Sequence, residues 1–227
     1  MFVFKLVAGT IFTMALYIVV LFSAAGTWSW WRAWVFLGIA FIGTVGSMFS
    51  LWRDRKDLLA ERMRPVVQKG QPWLDRIVVL PFVVSYVSLY IVIPRDVFHW
   101  HLLPKPGIIV SSFGLVLFLI GWRIVFLALY ENPFAAPVVK YQAERQHKLV
   151  DTGVYSVVRH PMYAGMIPLL AGTSLWLESY AAAIYTLVPA GFLALRILVE
   201  ERFLERQLVG YLDYMKRVRY RLIPYVW

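Results

Sequence analysis

Residues 107–130 read GIIVSSFGLVLFLIGWRIVFLALY, a run of 24 positions in which Arg123 is the one charged side chain. An α-helix rises about 1.5 Å per residue, so a run of this length crosses the roughly 30 Å of a bilayer's hydrocarbon. Lipid offers the backbone no hydrogen-bonding partners, which makes a helix the spanning form that satisfies its own N–H and C=O groups. Five more apolar runs accompany it: Leu6–Ala25, Ala33–Leu51, Ile77–Ile93, Tyr163–Leu177 and Ala181–Val199. The last two are less regular. Tyr163–Leu177 is short and contains Pro168, and only Glu178, Ser179 and Tyr180 separate it from the final run, so the two read as a tilted hairpin. With 60% hydrophobic and 16% charged residues, the chain is far more apolar than a soluble domain. The expected fold is an all-α integral membrane protein, a bundle of five to six transmembrane helices.

The net charge of +10 points to nucleic acid only if the basic residues ignore the spans, and they do not. One lies at Lys5, seven fall in 52–76, four in 131–160 and six in 200–227, which six alternating spans place on a single side. Arg32, Arg95 and Lys105 fall on the other, and Arg123 and Arg196 lie in or near spans. Basic loops mark the cytoplasmic face, so both termini are expected there. Trp28, Trp30, Trp31, Trp100, Trp176 and Tyr180 suit the headgroup level of the opposite face. Topology accounts for the charge, and no nucleic-acid partner is expected.

Composition divides the chain into 1–129, made of spans and linkers, and 130–227, dense in His, Arg, Glu and Tyr, within one integrated domain. The first run has no convincing small-residue cleavage site before Trp28 and reads as a retained span. Without cysteine, disulfides, thiolate nucleophiles and cysteine-based zinc sites are excluded. His99 and His101 fall on one face and His147 and His160 on the other, without ligand spacing, so no metal is expected. Neither a glycine-rich phosphate loop nor a Gly-x-Ser-x-Gly elbow is present. The loop Trp52–Arg76 alternates charged and apolar residues, which fits a short interfacial helix, although a solvated anchoring loop is the favoured reading.

Candidate chemistry gathers near the last two spans. Pro161 suits the first turn of a helix and would hold Arg159 and His160 at its N-terminal mouth. Arg196 and Glu200, four residues apart, share a helical face, and Glu201 follows. A hairpin of the last two spans starts His160 and Tyr163 beside the place where Glu200 and Glu201 end. Ionisable groups at such a depth are costly unless something uses them.

The run Arg159-His160-Pro161-Met162-Tyr163-Ala164-Gly165, the pair Glu200-Glu201, and the tail Gly210-Tyr211-Leu212-Asp213-Tyr214 through Arg221-Leu222-Ile223-Pro224 together resemble the isoprenylcysteine carboxyl methyltransferase family, especially its prokaryotic members. Asn132-Pro133-Phe134 and Gln142-Ala143-Glu144-Arg145 also match, and the likeness covers about 130–227. Val154 stands where the family often has proline, and Gln146 where glycine is common. The resemblance implies S-adenosylmethionine held in a cytoplasmic C-terminal pocket between the loop before the fifth span and the end of the sixth. It implies His160, Tyr163, Glu200 and Glu201 as cofactor contacts, with Tyr155 and Val157 lining the same pocket. Arg196, and with it Arg159, would orient the methyl acceptor, a lipid-soluble or prenylated carboxylate reaching the site from the surrounding membrane lipids. A bacterial inner membrane follows from the prokaryotic likeness.

Three other readings fit parts of the sequence. A phospholipid amine acceptor would make a base such as His160 essential. A sterol-type reductase would use the basic tail for NADPH, and a scaffold would use the same charges only as anchors.

Overall fold

The computed structural model describes residues 2–68 and 70–227. Among them the chain is all helical: α1 (Phe2–Ala25), α2 (Trp31–Asp54), α3 (Lys56–Arg62), α4 (Trp73–Arg95), α5 (Ile108–Glu131), α6 (Pro161–Trp176), α7 (Tyr180–Tyr185), α8 (Leu187–Gln207) and α9 (Tyr211–Arg217). Five segments are long and apolar enough to cross a membrane, namely α1, α2, α4 with the π turn that follows it, α5, and α7 with α8. Helix α6 is not among them. It has 16 residues and lies against α5. The protein is an integral membrane helical bundle.

The α5–α6 contact is set by glycine. Gly114 and Gly121 on α5 face Gly172 and Gly165 on α6. A Cβ at Gly172 would lie 2.5 Å from the Gly114 carbonyl oxygen, and one at Gly121 would lie 2.5 Å from the Leu169 nitrogen. The backbones therefore touch, as small residues permit between helices in lipid. The main core joins α1, α2, α4, α5 and α6 through Leu21, Phe36, Leu89, Ile93, Phe118 and Leu170.

Two expectations change in detail. The final run is not one helix: it turns at Thr186 between α7 and α8. Pro189 has no N–H to donate to the Tyr185 carbonyl four residues back. Helix α8 continues to Gln207, beyond the apolar run that ends at Val199, and carries Glu200 and Glu201 within it. The loop Trp52–Arg76 is no solvated anchor. Leu58 is fully buried, Leu59 nearly so, and both pack with Leu6 and Leu51 beneath the bundle. Glu61, 3% exposed, pairs with Lys140 at 2.5 Å and with Arg64 at 3.3 Å.

At the far end, Arg32 and Trp176 exchange hydrogen bonds with each other's backbone carbonyls, and Arg32 pairs with Glu178 at 3.1 Å. Asp96, buried after α4, accepts from Ser179 Oγ at 2.6 Å and from the Leu102 amide at 2.9 Å. These bonds fix the turn that delivers α8 to the other end.

Candidate functional site

Pro161 occupies the first turn of α6, with His160 just before it. The C-terminal tail runs beside this entry. The Arg159 and His160 amides donate to the Tyr220 and Arg221 carbonyls, each at 2.9 Å. From α8, Glu201 receives Arg159 Nε at 2.7 Å and Arg221 Nε at 2.8 Å, and its Oε1 lies 3.2 Å from His160 Nε2. Three basic groups thus surround one carboxylate that is 2% exposed. A buried carboxylate needs such compensation.

One residue earlier, Glu200 accepts from the Tyr163 hydroxyl at 2.7 Å, and the rings of Tyr163 and His160 stack with centroids 5.7 Å apart. Arg196, one turn before Glu200, donates through Nε to Asp75 Oδ1 at 3.0 Å and through Nη2 to the Pro137 carbonyl at 2.6 Å. Asp75 is fully buried in the first turn of α4, and its other oxygen accepts from Gln71 at 2.7 Å and the Val139 amide at 3.0 Å. The loop after α5 is therefore bound to α4 and α8 together.

These groups border a cavity whose walls include Phe134, His147, Tyr155, His160, Glu200 and Tyr211. Two buried polar atoms on that wall, His147 Nδ1 and the Tyr211 hydroxyl, have no hydrogen-bond partner among the described residues. His147 is stacked against Phe134 at 4.5 Å and Tyr141 at 5.6 Å. Its burial, assisted by the Arg145 charge, holds its pKa down to about 4. Burial likewise pushes the Tyr211 phenol above its ordinary range. Both groups are therefore neutral at pH 7, with polar atoms available to a ligand.

Of the residues named from sequence, Glu201, bonded to Arg159 and His160, and Arg196, one turn before Glu200 on α8, lie outside the lining of this cavity, while Arg159, His160, Tyr163 and Glu200 form part of it. Tyr155 joins them, since its ring lines the cavity and its carbonyl accepts from the Tyr214 hydroxyl at 2.7 Å. Val157 does not. It follows the 3-10 turn Gly153–Ser156, is 55% exposed, and lies outside the cavity lining. Arg159 also sits differently from an acceptor-facing group, because Nη1 donates to the Val218 and Arg219 carbonyls at 2.7 and 2.8 Å while Nε holds Glu201.

Sequence reasoning passed over Asp75, whose place in a helix's first turn reads as a partner of the helix dipole. It also assigned no role to Tyr211, although the tail carrying it was part of the resemblance. His147, Glu61 and Arg62 were hidden in polar stretches. Gln146, the departure from glycine, has φ +49°, a left-handed conformation that glycine adopts without strain.

Comparison with known proteins points to methyltransferases. The family model described as phospholipid methyltransferase matches residues 109–209. Protein-S-isoprenylcysteine O-methyltransferase B of Arabidopsis thaliana is 31% identical over 140 residues, covering 60% of this chain and 66% of the relative. A probable protein-S-isoprenylcysteine O-methyltransferase of Oryza sativa subsp. indica is 38% identical over 113 residues, covering 48% and 59%. The Saccharomyces cerevisiae protein-S-isoprenylcysteine O-methyltransferase is 35% identical over 109 residues, covering 44% and 46%. The matches thus span just under two thirds of these relatives or less. The structure of the eukaryotic intramembrane Ras methyltransferase ICMT, an isoprenylcysteine carboxyl methyltransferase, superposes with a TM-score of 0.53 at 21% identity, over 94% of this chain and 74% of that one. The fold is shared across nearly the whole bundle, and over more than half of its length the chain is similar in sequence to protein-S-isoprenylcysteine O-methyltransferases.

Proposed function

We propose that this protein transfers a methyl group from S-adenosylmethionine to the carboxylate of a lipid-soluble, isoprenylcysteine-like acceptor, on the cytoplasmic face where both termini lie. The observation that carries the reading is the meeting of His160 and Tyr163 at the start of α6 with Glu200 near the end of α8 around one cavity, with Glu201 bonded to His160 behind its lining. The unpartnered His147 Nδ1 and Tyr211 hydroxyl fit a ligand rich in hydrogen-bonding atoms, as a nucleoside is. The cavity itself measures about 90 Å³, below the roughly 300 Å³ at which small-molecule sites begin, so its walls would have to part to admit the whole cofactor.

When bound, S-adenosylmethionine supplies a methyl group on a cationic sulfur, and its transfer to a carboxylate oxygen forms one C–O bond, breaks one C–S bond and cancels both charges. A carboxylate is ionised near pH 7, so no side chain needs to remove a proton. The chain's task is alignment and exclusion of water. Glu200 uses one oxygen on Tyr163 and leaves Oε1 for a hydroxyl or ammonium group. Glu201, saturated by Arg159, Arg221 and His160, holds Arg159 and His160 in the wall from behind. Arg196, whose Nη1 has no hydrogen-bond partner among the described residues, lies over the ring of Tyr163 and orients the acceptor. Arg159 locks the tail to α8.

The matching phospholipid methyltransferase model favours one second reading, an amine acceptor in a lipid headgroup. An amine must lose a proton, which would give the rate a steep dependence on pH that a carboxylate lacks. Calorimetry of S-adenosylmethionine binding to the purified protein, with His160→Ala and Glu201→Gln in parallel, tests the cofactor. Labelled methyl transfer to N-acetyl-S-farnesylcysteine tests the acceptor. Saturable binding weakened by both substitutions, with transfer that varies little from pH 6.5 to 8.5, is expected. A folded protein that binds no S-adenosylmethionine overturns the reading.

A further inference from the structure

Helix α3 places a cation beside the cavity that the reaction described above does not yet use. Leu58 and Leu59 are buried beneath the bundle, and this fixes the face that carries Glu61 and Arg62. Glu61 is committed to Lys140 and Arg64. Arg62 is half-buried, and among the described residues it has no carboxylate within ion-pair distance. Its Nη1 donates to the Ala135 carbonyl at 3.0 Å and lies 3.8 Å from the sulfur of Met162. Ala135 and Met162 both line the cavity.

The surrounding charge is unbalanced. Arg196 is a neighbouring cation, and the carboxylate it pairs with, Asp75, is already committed to it at 3.0 Å. Burial, with Arg196 adding to it, lowers the pKa of Arg62 from its ordinary value, the mark of a cation short of counter-charge. A buried cation is costly unless an anion pairs with it. One carbonyl and one thioether satisfy little of a guanidinium with five N–H groups.

We infer that Arg62 is an acceptor-binding residue, which together with Arg196 receives the carboxylate of the methyl acceptor at the Ala135–Met162 edge of the cavity. The planar fork of arginine suits a carboxylate. Methylation removes the negative charge, so the product ester loses this attraction and is released more readily than the substrate binds. The inference rests on the carboxyl methyltransferase reading and adds the group that recognises the acceptor's charge.

The test uses the full chain in detergent, with N-acetyl-S-farnesylcysteine as acceptor and its neutral carboxamide as competing ligand. For Arg62→Gln, the acceptor KM should rise tenfold or more, while S-adenosylmethionine affinity stays within twofold of wild type. The wild-type preference for the carboxylate over the carboxamide should disappear. An unchanged KM and preference, or equal loss of acceptor and cofactor affinity, would mean that Arg62 only braces Ala135 and would overturn the inference. If Arg62→Gln does not fold, Arg62→Lys decides, since it keeps one donor and the charge: a severalfold rise in acceptor KM supports the inference and an unchanged KM overturns it. A wild-type protein that binds S-adenosylmethionine but leaves the acceptor unmethylated refutes the acceptor reading itself, a result distinct from any effect of Arg62.

Discussion

Arg196 and Asp75, 121 positions apart, meet through a 3.0 Å hydrogen-bonded ion pair in which the carboxylate is wholly buried. The pair ties α8 to the first turn of α4, and the second Asp75 oxygen adds the Val139 amide. Removing one partner leaves the other as an uncompensated buried charge. Asp75→Asn should therefore cost about 3 kcal/mol or more, read as a lower unfolding temperature in detergent together with lost turnover.

Arg196→Lys tests the same residue from the side of chemistry. Lysine keeps the charge opposite Asp75 but not the fork. Turnover should fall roughly 30-fold, the factor for about 2 kcal/mol of a charged hydrogen bond, with S-adenosylmethionine affinity little changed. Equal losses in both would move Arg196 into the cofactor's part of the site.

The glycine seam predicts a sharp contrast. Gly172→Ala puts a methyl 2.5 Å from the Gly114 carbonyl oxygen and should destabilise the bundle by about 1–3 kcal/mol. Gly46→Ala on α2 meets no atom within 4 Å and should leave the unfolding temperature unchanged.

His147 makes stability depend on pH. Its folded pKa, about 4, lies below the unfolded value near 6.5, so between those limits the unfolded chain holds more protons. This contribution is fully present above pH 6.5 and is lost as pH falls toward 4. His147→Phe keeps a ring between Phe134 and Tyr141, and should flatten that part of the melting profile.

Glu201 holds the tail through Arg159 and Arg221. In Glu201→Gln, tryptic cleavage at Arg219 or Arg221 should accelerate at least tenfold without any ligand present, because losing about 1.4 kcal/mol of local protection suffices. Unchanged cleavage alongside weakened cofactor binding would assign Glu201 to the ligand instead.

Much of this was legible in the chain itself. The apolar runs mark the spans because lipid imposes a minimum length, and the short stretch Glu178–Tyr180 forces the last two into a hairpin. That hairpin alone brings Tyr163 near Glu200. Asp75 escaped because its partner is remote in sequence and no periodicity joins them. Glu61 and Arg62 escaped because alternating charge looks solvated until Leu58 and Leu59 are seen to be covered. Val157 misled in the opposite sense: it lies close to the residues of the site, and the turn before it sends it to solvent.

Helix α6 has 16 residues, a rise of about 24 Å, which is less than the thickness of a bilayer's hydrocarbon. As the chain is synthesised, such a segment partitions poorly into lipid alone, and the glycine contacts with α5 offer it a ready surface once that helix is in place. The start of the candidate site is thus carried into the bilayer by the helix synthesised before it, and assembly of the cavity becomes a late, ordered step of membrane insertion.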